Sequence, residues 1–250
     1  MWIWFENKPD TAVLGSPASP YLDALVGGCA VAADYHGITH PSLPNYLAAT
    51  SGSTQGVSDD AAPDRHQLAG PSLFSQVSDS GREWRSYQEA MPGTCALLPE
   101  GRYAVKHNPA AYFTAIRDRC AQWDVPLDRL TADLGAGGAL PAFALIVPDL
   151  CNDTHDCPVE TGDAWLSALL PTLLDSAAYR SGTTAVMITW DEDDSRHDNR
   201  VPLVVLAPSI TPGTRLAGRL DHYSLLASTE DLLGLPRLGA AVGAAVLPAP

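Results

Sequence analysis

Several short apolar runs in this chain end abruptly on acidic or amide residues, with amphipathic segments between them. Trp2-Ile3-Trp4-Phe5 runs into Glu6-Asn7, and Thr183–Thr189 runs through Trp190 into Asp191-Glu192-Asp193-Asp194. Runs this rich in β-branched and aromatic residues read as strands buried on both faces. A strand buried on both faces requires helices above and below it. The chain is therefore expected to form an α/β fold: a three-layer α/β/α sandwich around a mostly parallel central sheet. In such open sheets ligands bind beyond the carboxyl ends of the strands, where these acidic clusters fall.

The remaining elements fit that plan. Strands are expected at 1–6, 29–33, 84–87, 143–147, 183–190 and 201–206. Helices are expected at 19–26, 42–51, 71–79, from 109 onward (carrying Tyr112, Phe113 and Ile116), 127–134, 163–178 and 222–233. A Gly-rich turn is read at 135–138, and Gly52 is a natural stop for the helix at 42–51. No repeat or linker divides the chain, so residues 1–238 are expected to be one domain and the Ala/Gly/Pro-rich 239–250 a flexible tail.

With 250 residues, 46% of them hydrophobic and 18% charged, the composition is globular and can supply a sizeable core. No apolar run approaches the ~20 residues of a membrane span. The net charge of −14 disfavours nucleic-acid binding through a basic surface. An anionic substrate would need a local positive centre, which a metal with nearby His and Lys would supply. Five cysteines are present, at 29, 95, 120, 151 and 157. The spacings Cys95/Cys120 and Cys151/Cys157 are compatible with disulfides and hence with an oxidising compartment, leaving Cys29 as a small buried side chain. A Cys/His zinc site is the alternative, although the chain has no Cys-x2-Cys pair.

One segment concentrates chemistry: Thr39-His40-Pro41-Ser42-Leu43-Pro44-Asn45-Tyr46-Leu47. Leu43, Tyr46, Leu47 and Thr50 recur at helical spacing, so Ser42 stands where a loop enters a helix. The first-turn N–H groups lack intrahelical partners and carry partial positive charge, which suits a phosphate or an oxyanion. Pro44 is tolerated in a first turn because its missing N–H would be unpaired there. An ordinary Ser cap is the plain alternative. The acidic clusters at the two strand ends repel one another unless something positive lies among them. Together with the Ser42 hydroxyl they can surround one divalent cation, whereas each cluster alone reads equally as a solvated loop.

These residues resemble those of a known family. Glu6-Asn7, His40-Pro41-Ser42-Leu43-Pro44-Asn45-Tyr46-Leu47-Ala48, Tyr103–Pro109, Pro148–Cys157, Trp190-Asp191-Glu192 and His222–Leu226 occur in the order of the phosphoesterase family that contains bacterial acid phosphatases and phospholipases C. That family lies within the alkaline phosphatase superfamily. The resemblance implies an alkaline-phosphatase-like fold and a phosphoserine intermediate formed on Ser42. It implies one divalent ion (Mg2+, Ca2+, Mn2+ or Zn2+) held by Glu6, Asn7, Ser42, Asp191 and Glu192, an oxygen-rich set that favours the harder ions. Asn45, His107, His155 and His222 are then expected to bind phosphate or protonate the leaving group; each histidine alone reads equally well as a loop or cap residue. A second metal on Asp149, Asp153, His155 and His222 is the less favoured reading. His36, His66 and His197 are taken as structural or exposed, and His40 as orienting the nucleophile or shaping its turn.

The resemblance implies a phosphomonoesterase acting on small phosphorylated substrates. A phosphodiesterase or phospholipase C on lipid headgroups is the runner-up, and a non-catalytic anion- or metal-binding module the alternative of another class. Relatives of this kind are often exported, so a secreted or cell-envelope location is expected although no signal peptide precedes Met1; the sequence does not give the oligomeric state. The loops at 56–70, 91–105 and 193–200 are the expected walls of the leaving-group pocket.

Overall fold

A computed structural model describes residues 1–135 and 140–247. Its strands are β1 (Trp2–Phe5), β2 (Ala30–Ala32), β3 (Tyr35–His36), β4 (Trp84–Gln88), β5 (Asp124–Pro126), β6 (Phe143–Val147), β7 (Val186–Trp190), β8 (Leu203–Leu206), β9 (Arg215–Leu216) and β10 (Leu220–Asp221). The α-helices are α1 (Asp10–Val13), α2 (Pro20–Val26), α3 (Ser42–Ser51), α4 (Leu73–Asp79), α5 (Arg117–Trp123), α6 (Arg129–Gly135), α7 (Val159–Leu174), α8 (Ala177–Arg180) and α9 (His222–Leu233).

Eight strands form one sheet in the order β5-β4-β6-β1-β7-β8-β2-β9. It is mostly parallel, as expected, except that β8 runs antiparallel to both β7 and β2. The alternation of side chains along β1 fixes the two covering layers. On one face, the Trp2 indole N–H donates to Thr229 of α9, and Trp4 packs against Tyr46 of α3 and His222 of α9. On the other, Phe5 meets Trp165 of α7 edge-on. The result is the anticipated three-layer sandwich.

Register places the acidic clusters side by side. β1 and β7 are parallel neighbours with Phe5 opposite Trp190, so Glu6 and Asp191 are the next residues on adjacent strands. The Asp191 N–H donates to the Phe5 carbonyl at 3.1 Å, extending the ladder one step past the named strands.

Helix α3 ends where Gly52 adopts φ +72°, and its N–H returns to the Ala48 carbonyl. A Cβ on Gly52 would meet the Leu238 carbonyl oxygen at 2.2 Å, so the glycine serves chain crossing as well as helix termination. The crossing strand of chain belongs to the segment read as a tail. The segment is anchored at points along it: Gly239–Gly243 form a 3-10 turn, Ala241 and Leu247 are buried, and the Leu247 N–H donates to Ser228 at 2.8 Å, while Val242 and Val246 stay exposed. Ala and Leu at those positions find an apolar site that composition alone does not reveal. Residues 248–250 lie outside the described residues, as does most of the turn read at 135–138.

Two helices differ from expectation. One 3-10 turn precedes Asn108 (Val105–His107), and the run after it forms two more (Pro109–Ala111, Thr114–Ile116) before α5, because Phe113 is extended at φ −85°, ψ 115°. Tyr112, Phe113 and Ile116 are nonetheless buried as their pattern demands. Helix α7 begins at Val159, behind Pro158, a turn earlier than expected, and the chain breaks after Leu174, where Ser176 caps α8 by accepting from the Tyr179 N–H. The two-residue strands β3, β9 and β10 and the edge strand β5 are too short to announce themselves in sequence.

Asp124 in β5 is fully buried with no cation against it; both carboxylate oxygens accept from the Asn108 amide at 2.9 Å. Burial pushes its pKa up to about 7, against the pull of the Asn108 and Ser86 hydrogen bonds. In the unfolded chain it titrates near 3.9. Between those values the folded state holds the proton more tightly, so this contribution to stability is full below about pH 4 and is lost as pH rises through about 7. The melting temperature is therefore expected to fall from pH 5 to pH 8, and more steeply than in Asp124→Asn. Parallel melting profiles for the two proteins would remove Asp124 as the cause.

Candidate active site at the strand tips

Ser42 is the first residue of α3, after Pro41, and no side chain caps the helix from the Pro41 position. Its hydroxyl donates to Glu6 Oε2 at 3.0 Å. The other Glu6 oxygen accepts from Tyr46, one turn further along α3, so the same helix that presents the hydroxyl also fixes the carboxylate. Asp191 follows Trp190, the register partner of Phe5, so it stands beside Glu6, and its Oδ1 accepts the Asn7 N–H at 3.2 Å. Asn7 achieves this with a positive φ of 51°, a conformation that asparagine tolerates better than most residues.

Four of the five expected metal ligands thus meet: Glu6, Asn7, Ser42 and Asp191. Glu192 stands beside them but turns one oxygen, Oε2, to Asn45 Nδ2 at 3.2 Å and to His40 Nδ1 at 3.0 Å. The donor set fits a divalent cation on an independent ground. Asn7 Oδ1 and Asp191 Oδ2 are buried acceptors with no hydrogen-bond partner. Unpartnered buried acceptors cost free energy, and here they accompany two acidic side chains held close together. Burial, followed by the charges of Asp191 and Asp153, drives the Glu6 pKa well above the usual carboxylate range, and burial likewise raises that of Asp191. Burial together with Asp191 raises Glu192. A hard cation among these oxygens would remove that penalty.

The histidines separate into three situations. His107, from the 3-10 turn at Val105–His107, is buried between carboxylates: Nε2 is 3.1 Å from Glu6 and Nδ1 is 3.3 Å from Asp153. Nε2 is close without the alignment of a hydrogen bond. Burial, then the Lys106 and His155 charges, hold its pKa well below the ordinary histidine value. Glu6, His107 and Asp153 have ligand atoms within 4.8 Å of one another. His155 is at the rim, with Nδ1 paired to Asp156 at 2.7 Å and Nε2 at 3.4 Å from the Lys106 ammonium.

His222 does not face the site. Its Nε2 lies 2.6 Å from the Asp191 carbonyl and its Nδ1 2.7 Å from the Tyr35 hydroxyl, so the ring donates forward and accepts behind. Both nitrogens are engaged, the ring is fully buried, and burial depresses its pKa to about 4. It holds the main chain of Asp191 and has no free nitrogen for a phosphate. Asn45 is likewise committed. Its Oδ1 accepts the N–H groups of Ile38 and Thr39, and its Nδ2 lies 2.8 Å from the Thr39 carbonyl, 3.2 Å from that of Pro41 and 3.2 Å from Glu192. It ties down the loop ahead of Ser42.

The less favoured second-metal set does not assemble. Asp149 Oδ1 accepts the N–H groups of Cys151 and Asn152 in its own turn, while Asp153 turns to His107 and His222 stands behind Asp191. Both expected cysteine pairs are disulfides, Cys95–Cys120 and Cys151–Cys157, and Cys29 is free and buried. The first closes the excursion that carries Lys106 and His107; the second closes the loop that carries Asp153 and His155.

Sequence reasoning missed three contributors. Tyr46 was assigned only to the buried face of α3; its position four residues after Ser42 was the available signal. Asp60 accepts the Leu43 N–H at 3.0 Å through Oδ1 and pairs with Lys106 at 3.0 Å through Oδ2. Tyr35 acts through His222, a long-range contact with no local signature. A cavity of about 380 Å³ opens beside Glu192, lined by His40, Asp193, Ser195, Asn199 and Arg219 among others. A larger cavity of about 480 Å³ lies at the opposite, amino ends of the strands, lined by Met1, Ala142, Phe143 and Met187, without an ionisable side chain on its wall. Neither cavity is lined by Ser42, Glu6, Asn7 or Asp191; the smaller one adjoins the strand-tip cluster through His40, which pairs with Glu192. No helix among the described residues is long and apolar enough to cross a membrane.

A match to the Phosphoesterase family covers residues 3–236. The chain is 31% identical over 240 residues to a phosphatidylinositol-3-phosphatase of Mycobacterium tuberculosis, covering 96% of this chain and 78% of that protein. It is 30% identical to a phosphate-repressible acid phosphatase of Penicillium chrysogenum, covering 95% of this chain and 59% of the relative. An acid phosphatase of Aspergillus fumigatus is also 30% identical, with 95% and 55% covered, so the chain spans little more than half the length of these fungal relatives. Among solved structures, a protein in the alkaline phosphatase superfamily from Vibrio parahaemolyticus superposes with a TM-score of 0.67 at 13% identity, covering 98% of this chain and 70% of that one. The lipoteichoic acid synthase LtaP of Listeria monocytogenes does so at 0.66 and 10% identity, with 98% and 73% covered. These likenesses share the fold.

Proposed function

The chain belongs to the phosphoesterase family, and from that premise we propose that it is a metal-dependent phosphoric ester hydrolase, acting mainly on phosphate monoesters through a phosphoserine at Ser42. The observation that carries this reading is the Ser42 hydroxyl, 3.0 Å from Glu6, whose strand-tip neighbour is Asp191, beside two buried acceptors that lack partners. A serine hydroxyl is a weak nucleophile at neutral pH, and a divalent ion held by Glu6, Asn7, Ser42 and Asp191, with Glu192 adjoining, would favour its alkoxide and screen the phosphoryl oxygens.

In the first step Ser42 passes its hydroxyl proton to Glu6 Oε2, to which it already donates, Oγ forms a bond to phosphorus, the ester P–O bond breaks, and the departing alkoxide takes a proton. His155, at the rim beside Lys106, is assigned that proton transfer. In the second step water attacks the phosphoserine, Ser42 Oγ regains its proton and inorganic phosphate leaves. His107 holds the buried carboxylates Glu6 and Asp153 apart. His222 and Asn45 are positioning residues, the first for Asp191 and the second for the loop ahead of Ser42.

One comparison favours a lipid-linked monoester as a second reading, since a relative covered over most of its length is named for a phosphoinositide. Assaying p-nitrophenyl phosphate, bis-p-nitrophenyl phosphate, phosphatidylinositol 3-phosphate and phosphatidylcholine separates the possibilities. Turnover of the first is expected, with the third deciding between soluble and lipid substrates. Release of phosphocholine without monoester turnover would overturn the monoesterase reading in favour of a phospholipase C. The two disulfides suit an oxidising compartment, consistent with a secreted or cell-envelope location.

A further inference from the structure

The distribution of lysine is uneven in a way that bears on substrate choice. Of fifteen Lys and Arg residues only two, Lys8 and Lys106, are lysines. Both stand at the rim of the strand-tip site: Lys8 follows Asn7 and donates to the Thr154 carbonyl at 2.8 Å, and Lys106 precedes His107. The two cations do not serve the same purpose. Lys8 reaches into the backbone of the 151–157 loop, whereas Lys106 is fixed at the helix end that presents the nucleophile.

Asp60 does the fixing. One of its oxygens accepts the Leu43 N–H and the other holds the Lys106 ammonium, both at 3.0 Å. The ammonium therefore sits one carboxylate away from the residue that follows Ser42. His155 Nε2 lies 3.4 Å from it on another side. An ammonium has three N–H groups. Asp60 takes one, and neither of the other two has a carboxylate or carbonyl acceptor among the described residues. The side chain is about one-fifth exposed, enough to reach a bound ligand without being a free surface charge. The next residue, His107, stands 3.1 Å from Glu6, so the lysine belongs to the same end of the sheet.

We propose that Lys106, aimed by Asp60, binds the second negative charge of a phosphate monoester and thereby sets a preference for monoesters over diesters. The inference rests on the hydrolase reading above and deepens it. A monoester well above its second ionisation, near pH 6, is a dianion, whereas a diester carries one charge. The protein has a net charge of −14 and lines the site with carboxylates, so the extra charge is repelled unless a cation answers it. A lysine ammonium is a compact point charge that meets one phosphoryl oxygen in a crowded site, where the planar fork of an arginine needs two in line.

The test compares wild type, Lys106→Met and Lys106→Arg, all loaded with the same divalent ion, above pH 7. Binding of inorganic phosphate and of dimethyl phosphate is measured by titration, alongside kcat/KM for p-nitrophenyl phosphate. Lys106→Met is expected to weaken phosphate binding and monoester kcat/KM by about 10- to 100-fold, the scale of one charge-assisted hydrogen bond. Dimethyl phosphate binding should change by less than about twofold, and Lys106→Arg should recover part of the loss. The double variant Asp60→Asn/Lys106→Met, which leaves no unpaired carboxylate, guards against simple destabilisation and should show the same selective loss. Equal weakening of both anions, or no weakening of phosphate, would overturn the assignment. A wild type that binds phosphate but turns over no ester would reject the hydrolase reading alone.

Discussion

Ser42→Ala is expected to abolish hydrolysis of p-nitrophenyl phosphate, lowering turnover on the order of 10⁴-fold or more, the scale on which removal of a nucleophile acts. The protein should remain folded. Ser42 Oγ makes one hydrogen bond, to Glu6 Oε2, and Tyr46 still binds the other Glu6 oxygen. Helix α3 does not depend on that hydroxyl either, since Pro41 holds the cap position and Gly52 closes the far end. Melting temperature in the absence of divalent ion, and far-ultraviolet circular dichroism, should therefore match wild type. Rapid quenching of wild type with substrate should leave a phosphoryl group on the Ser42 peptide, read by mass spectrometry, and the variant should show none. Undiminished turnover in the variant, or phosphate on a different residue, would falsify the nucleophile assignment.

Removal of divalent ions should silence wild type and also loosen it. If the ion is held at a hundredfold over its dissociation constant, its loss costs about 2.7 kcal/mol of stability. For a chain of this size that corresponds to a fall of roughly 5–10 °C in melting temperature. Asp191→Asn separates the two contributions of the carboxylate. Without metal the variant should melt above wild type, because it removes one of the mutually repelling buried acids; with metal it should melt below it and be nearly inactive. The two melting curves should thus exchange order when the ion is added back. Full activity after exhaustive chelation, or curves that keep their order, would reject a cation at this site.

How far the sequence discloses the site depends on whether a residue's partners are close in the fold's repeating pattern. Glu6 and Asp191 were legible because strand tips in a parallel sheet share one end, and a single register pairing of Phe5 with Trp190 brings them together. Helix α3 was legible from its apolar spacing, its Ser42 start and its Gly52 stop. Direction of a side chain within a correctly placed element was not. The start of α9 at His222 was read correctly, yet its ring is claimed by Tyr35 and the Asp191 carbonyl. The short pairing of β10 with β3, which sets Leu220 beside Tyr35, brings that partner near and leaves no periodic trace. Asp60 illustrates the same limit. It lies in a polar loop that composition marks only as irregular, and its role appears when Leu43 and Lys106 are seen on either side of it.

The order of strands in the sheet has a consequence for biosynthesis. β1, made first, lies between β6 and β7, whose partners to Ile3 are Ile146 and Ile188. Such non-local pairing is slow to form, and an unpaired apolar edge is prone to aggregate while it waits. The amino-terminal strand emerges from the ribosome with no neighbour, and must be kept from sticking to other chains until most of the polypeptide has been translated. A nascent chain stalled before Val186 would lack one side of β1 and all of the second acidic cluster, so it would hold only part of the strand-tip site.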